Sequence, residues 1–193
     1  MGDTLFPAKP IDVDVFFRSD VEALVISAHK AALDGIERLD NEKRPKPNLH
    51  TNPEAQVELD VWDQQIADMK RLAGNMALVS LVTFFDDWLT RKHRRVLGSD
   101  GPHGMEKRFK ALEGELKPGP LTADALRGIK IARDSIIHHQ GAPAFEWNGS
   151  QAVNERFLDF DDVRKPNGQV GISDEVLSEV TQELAAQVKT WLK

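Results

Sequence analysis

Arg133 and His138 are the pair whose types and spacing invite chemistry. A guanidinium stays charged at any ordinary pH and can grip a phosphate through two parallel hydrogen bonds. An imidazole, with an ordinary pKa of about 6.5, takes or gives a proton near neutrality. Both lie in the stretch from Leu126 to Gly141, which also carries Asp134 and His139. Within it Ala125, Ile129, Ala132 and Ile136 repeat at intervals of four, three and four, one face of a helix. At 100° per residue from Ile129, Ala132 falls at about 300°, Ile136 at about 340° and Arg133 at about 40°. A permanent cation inside an apolar arc costs several kcal/mol unless it finds an anion, a water-filled cleft or a subunit interface. His138 falls at about 180°, away from Arg133. For the two to meet, either the last turn unwinds before Gly141 or the histidine comes from a second chain.

Charge singles out a second feature. The chain of 193 residues has a formal net charge of −6, yet residues 91–133 alone carry +6. Arg91, Lys92, Arg94 and Arg95, with Lys130 further on, form a basic run that can track a phosphate backbone. The same run, read as a helix end, is a solvated terminus matched to the helix dipole. Asp86-Asp87 either supply an anion for Arg133 or open the exposed end of their helix. His93, His103, His138 and His139 follow no metal-ligand spacing, so no metal or other cofactor is expected. Trp62, Trp88, Trp147 and Trp191 read as core or interface rather than as base-stacking platforms.

These residues need a frame, and the frame reads as a row of helices. The first runs from about Val13 to Asn41, with Val25, His29, Ala32, Ile36 and Leu39 on one face, and stops at Pro45 and Pro47. The second, long helix starts near Pro53 with Asn52 as cap and reaches about Val96, with Gly98 as its stop. Its stretch from Met76 to Leu89 is apolar most of the way round and should be the most buried, while Gly74-Asn75 marks a bend or break. A short helix follows from Met105 to Leu116, ended by Lys117-Pro118-Gly119-Pro120. Thr122 caps the fourth, which ends at His139 or Gln140. Residues 142–172 lose periodicity and are expected to be irregular, with a small hairpin around Asn167-Gly168. Ser173 caps a C-terminal helix over about 173–192, packed through Val176, Val180, Leu184, Val188 and Trp191 or Leu192. The expected fold is mainly α: one domain over 1–193, a four-to-five-helix bundle with its helical core at about 13–141.

With that frame, Arg133-Asp134-Ser135-Ile136-Ile137-His138 resembles the signature of the HEPN superfamily: an Arg, a polar residue, three more residues, then His, near the end of a late helix in a helical bundle. The apolar Ile136-Ile137 and the closing Gly141 are also similar to the family pattern. The resemblance covers 122–141 and, by helix order, 13–141. It implies a dimeric, metal-independent endoribonuclease of the toxin or abortive-infection type, with two motifs facing one cleft. The 2′-OH of RNA would be the nucleophile. His138, or His139 beside it, would move the proton, Arg133 would steady the phosphorane, and Asp134 would orient a partner. The implied partners are RNA, a second copy through the motif helix and a cognate antitoxin. An alternative is a non-catalytic module of the same fold that binds RNA or a nucleotide. A third reading is a helical scaffold in which the motif is coincidence.

Composition excludes other classes. With 40% hydrophobic residues the chain is not disordered in bulk. The absence of Cys excludes disulfides, thiolate metal sites and a cysteine nucleophile, and suits a reducing cytoplasm. The start, MGDTLFPAKP, lacks the basic and apolar regions of a secretory signal. The longest nearly apolar run, Met76 to Phe85, is far shorter than the roughly 20 residues of a membrane span. No strand–helix alternation supports a dinucleotide-binding fold.

Overall fold

A computed structural model of the chain describes residues 21–46, 55–142, 153–159 and 169–192. Five α-helices account for most of these: α1 (Val21–Lys43), α2 (Ala55–Leu97), α3 (Met105–Glu113), α4 (Ala123–His139) and α5 (Asp174–Trp191). The chain is a mainly helical bundle, as expected. Beside the helices, a 3-10 turn (Glu155–Phe157) leads into β1 (Leu158–Asp159), which pairs antiparallel with β2 (Gln169–Val170). The expected turn at Asn167-Gly168, the caps at Asn52 and Pro53, and the residues 13–20 of the first helix lie outside the described residues, as does Trp147.

The 43-residue α2 packs against each of the other helices. At about 1.5 Å per residue it is some 65 Å long, so only part of it can face the core. Its buried residues between Ala77 and Leu89 supply that part: Leu78, Leu81, Phe85, Trp88 and Leu89 are fully covered. Burial is one-sided, however. Met76 is 53% exposed and lines an open apolar groove with Leu24 and Ala28 of α1. Trp88 stacks on Trp191 of α5 at 6.1 Å, and Phe109 of α3 meets the same indole at 5.0 Å, so three helices share one aromatic contact.

At Gly74-Asn75 the helix is not broken: α2 is continuous from Ala55 to Leu97. Gly74 serves packing instead. A Cβ there would lie 2.1 Å from the carbonyl oxygen of Ile172, so only glycine lets the segment after β2 rest on α2. Asn75 adds a bond from its side-chain amide to the Val170 carbonyl, 3.0 Å long. The first half of α2 lies antiparallel to α1 beyond the main core. There the Trp62 indole donates to Asp40 at 2.6 Å and Arg44 meets Asp63 at 2.6 Å. This explains why the apolar face of α1 is only half used. Val25 and His29 are buried near the core, but Leu39, near the far end, is 38% exposed.

The helix termini follow local chemistry. Thr122 Oγ1 accepts from the Ala125 amide at 3.1 Å, and Ser173 Oγ from Val176 at 3.2 Å. The third helix stops at Glu113, three residues short of the expected Leu116, although the Leu116 amide still bonds Leu112 at 2.9 Å. Along α5 the core takes Val180, Leu184, Val188 and Trp191, with Leu177 rather than Val176 beginning the stripe.

Candidate functional site

The segment Arg133 to His139 occupies the last turns of α4. The buried face of that helix is Leu126, Ile129, Ala132 and Ser135, with Ile136 half-buried at its edge. Helical geometry then puts Arg133 on the rim of the packed face and His138 on the opposite side. Arg133 is half-buried, whereas Ile137, His138 and His139 are exposed. The helix stays regular through His139. It closes with Gln140 in the left-handed region, at φ 54°, and Gly141 at φ 83°, both amides bonding the Ser135 carbonyl. Val170 of β2 bonds back to the Gly141 carbonyl at 2.8 Å, which fixes the end of the helix against β2. Unwinding of the last turn is therefore not how Arg133 and His138 could meet.

The anion beside Arg133 is its own neighbour. Arg133 Nη1 donates to Asp134 at 2.9 Å, and Lys130, one turn back, reaches the other carboxylate oxygen at 2.7 Å. Asp134 is thus clamped between two cations. Glu106 of α3 stands 3.9 Å from Lys130. Asp86 does not hold Arg133; it pairs with Arg108 of α3, a residue only 9% exposed. Asp87 belongs to the helix surface, where Arg91 contacts it at 3.0 Å.

These charges surround a cavity of about 240 Å³ between α2, α3, α4 and the loop that joins α2 to α3. Asp86 comes from α2, His103 and Gly104 from the loop, Arg108 from α3, and Lys130 and Arg133 from α4. Neither His138 nor His139 lines it. Arg108 escaped the sequence reading, although its signal was the same as that of Arg133. Met105, Arg108, Phe109 and Leu112 follow intervals of three, one and three, so a cation stands within the apolar stripe of a helix.

The loop itself is shaped by His93. That imidazole is 4% exposed, and its Nδ1 donates to the Ser99 carbonyl at 2.7 Å. Gly101, at φ 82°, passes so close over the ring that a Cβ would sit 2.6 Å from it. Arg94 meets Asp100 at 2.5 Å in the same loop. The hydrogen bond and charge of Arg94 hold the Asp100 carboxyl below its ordinary value, and Asp100 raises Arg94 in return. Of the basic run, then, Arg91 and Arg94 already face carboxylates, Lys92 is half-buried and Arg95 is exposed. Among the described residues no group of three His, Asp or Glu side chains is arranged to hold a metal ion. Among them, too, no helix is long and apolar enough to cross a membrane.

The site can therefore offer two things: a pocket of cations bounded by carboxylates, and a pair of solvated imidazoles at the end of the same helix. Compared with protein-family models, with curated proteins and with solved structures, the chain matches none.

Proposed function

We propose that this chain is a HEPN-like, metal-independent endoribonuclease that acts as a homodimer through α4. One observation supports it above others: Arg133, oriented by Asp134 at 2.9 Å, and the exposed His138 and His139 share the last turns of one regular helix. In one protomer the histidines point away from Arg133. Two antiparallel copies of α4 would bring the imidazole of one to the guanidinium of the other, which removes the geometric conflict.

The chemistry needs no external nucleophile. A histidine takes the proton from the 2′-OH, whose oxygen attacks the adjacent phosphorus. The bond to the 5′-oxygen breaks, and that oxygen receives a proton from a second imidazole, such as that of the other protomer. The products are a 2′,3′-cyclic phosphate and a 5′-hydroxyl end. Arg133 carries the charge that builds on the phosphorane. Asp134 keeps the guanidinium turned, and Lys130 keeps Asp134 in place.

The test is cleavage of RNA by purified protein with EDTA present. His138→Ala should lose roughly 10²–10⁴-fold in rate, and Arg133→Lys should fail as well because an ammonium has no planar fork. Light scattering should give twice the 21.6 kDa chain mass. Loss of activity in His139→Ala but not in His138→Ala would move the proton transfer by one residue. A monomer with no cleavage of any RNA would refute the reading. It would then favour a non-catalytic module that binds RNA or a nucleotide, for which the gathering of Arg108, Lys130 and Arg133 apart from both histidines already speaks. As a toxin of the abortive-infection kind, the wild-type chain should arrest growth on expression, and His138→Ala should not.

A further inference from the structure

We infer that the face shared by α1 and α2 is a docking surface for a second copy of this chain, which lays its own α1 antiparallel across it. Among the described residues eight large apolar side chains are exposed, and six of them stand on these two helices: Leu24 and Leu39 on α1, Val57, Val61, Leu72 and Met76 on α2. Single exposed apolar residues are ordinary on any surface, whereas a contiguous patch marks an interaction site. The two helices present theirs on the same side. Leu24, Ala28 and Ala32 of α1 line one groove with Ala73 and Met76 of α2. At 100° per residue, Val57, Val61, Leu72 and Met76 fall within about 100° of one another, so the patch continues along α2.

The pattern along α1 says what covers it. Leu24, Ala28, Ala31, Ala32, Gly35 and Leu39 are all exposed. They share an arc of about 100°, and between Leu24 and Leu39 no charged residue falls inside it. The set is symmetric about the midpoint of Ala31 and Ala32: Leu24 mirrors Leu39, Ala28 mirrors Gly35, and Ala31 mirrors Ala32. Two identical copies on a two-fold axis need a patch that is complementary to itself. Antiparallel pairing of α1 about that midpoint supplies one. Small residues meet small residues at the centre, where the backbones approach, and Leu24 of each copy lies against Leu39 of the other at the ends. A partner of different sequence would require no such symmetry. Size agrees with a second copy. Over its 23 residues α1 is about 34 Å long, and two neighbouring helices are about 20 Å across, so the face offers roughly 700 Å² a side. The pair would bury about 1,400 Å² in total, above the roughly 1,000 Å² that a specific interface needs and at the low end of the standard size. Association in the micromolar range or weaker follows.

This pairing does not rest on the ribonuclease reading, which joins copies through α4. Light scattering of full-length protein over about 1–500 µM should show a mass at the top of the range at least twice that at the bottom. Ala32→Glu places a charge on the groove wall at an exposed position and keeps a good helix former, so the chain folds. It should hold the low-concentration mass throughout. The protein has no cysteine, so introduced ones report the register. Under oxidising conditions an equimolar mixture of Ala28→Cys and Gly35→Cys chains should form a mixed disulfide. Either chain alone should not, because like positions lie about 10 Å apart along the paired helices, beyond the roughly 7 Å between Cα atoms that a disulfide spans. A mass independent of concentration, an Ala32→Glu chain that associates as wild type does, or cross-linking no faster in the mixture than in either chain alone would overturn the inference. His138→Ala should associate as wild type does, and Ala32→Glu should treat RNA as wild type does. Failure of this pairing and failure of the ribonuclease reading therefore give different results.

Discussion

Gly74→Ala should destabilise the protein, although intrinsic helix propensity says the opposite. In an exposed helix interior this change gains about 0.5–1 kcal/mol, since alanine loses less backbone freedom on folding. At Gly74 the added Cβ would lie 2.1 Å from the Ile172 oxygen and 3.1 Å from its carbonyl carbon. The carbonyl must retreat by more than about 1 Å to restore ordinary contact, and forcing extra carbon into a packed site costs about 1–3 kcal/mol. Little around it can yield. The Val170 carbonyl holds Asn75, the Val170 amide is tied to Gly141 at 2.8 Å and the Gly171 amide to Phe157 at 3.0 Å. Val170 and Ile172 are themselves buried. Loss of the Asn75 bond would add about 1 kcal/mol. The net loss is then about 1–3 kcal/mol, or several degrees in Tm, at about 2–4 °C per kcal/mol for a domain of this size. Gly35 is the internal control. It lies in α1, is exposed and has nothing within 4 Å of its Cβ position, so Gly35→Ala should raise Tm by about 1–4 °C. Thermal unfolding followed by far-ultraviolet circular dichroism measures both. A Gly74→Ala chain as stable as wild type would mean that the Ile172 carbonyl does not rest on α2.

Other outcomes follow from the charges. Asp40 is held below its ordinary value by the Trp62 indole hydrogen bond first and by Arg44 after it. A lowered carboxylate contributes stability that is present above its unfolded pKa and is lost as pH falls through its native one. Trp62→Phe should therefore raise the Asp40 pKa, as read by carbon NMR of the carboxyl, and shorten the acid range over which the α1–α2 tip holds. The same sign applies to Asp100: acid should loosen the loop at 98–104 as that carboxyl protonates, and Arg94→Gln should move this loosening to higher pH. If the basic run touches RNA, replacing Arg91 and Arg95 by Gln should weaken binding and flatten its salt dependence by about one unit of slope for each phosphate no longer engaged. An unchanged slope would make that run a solvated helix end.

The fold class was legible in the sequence because it depends on local patterns. The helices start and stop where caps, glycines and prolines act over a few residues. Thr122, Ser173, Gly98 and Gly141 do what their types allow with little help from elsewhere. Arg133 was also legible as an anomaly, since 100° steps along one helix place it without reference to any other. What required the tertiary structure was every relation between elements. That Gly74 is a packing contact depends on Ile172, 98 residues away in the chain. That Asp86 pairs with Arg108 rather than Arg133 depends on how α3 lies across α2 and α4. Local periodicity states which side of a helix is apolar, but not how far along its length a neighbour covers it, and Met76 and Leu39 stay exposed for that reason. The cavity at the start of α3 belongs to no single segment. Four parts of the chain, each ordinary alone, bring three cations together, and only packing decides that they meet.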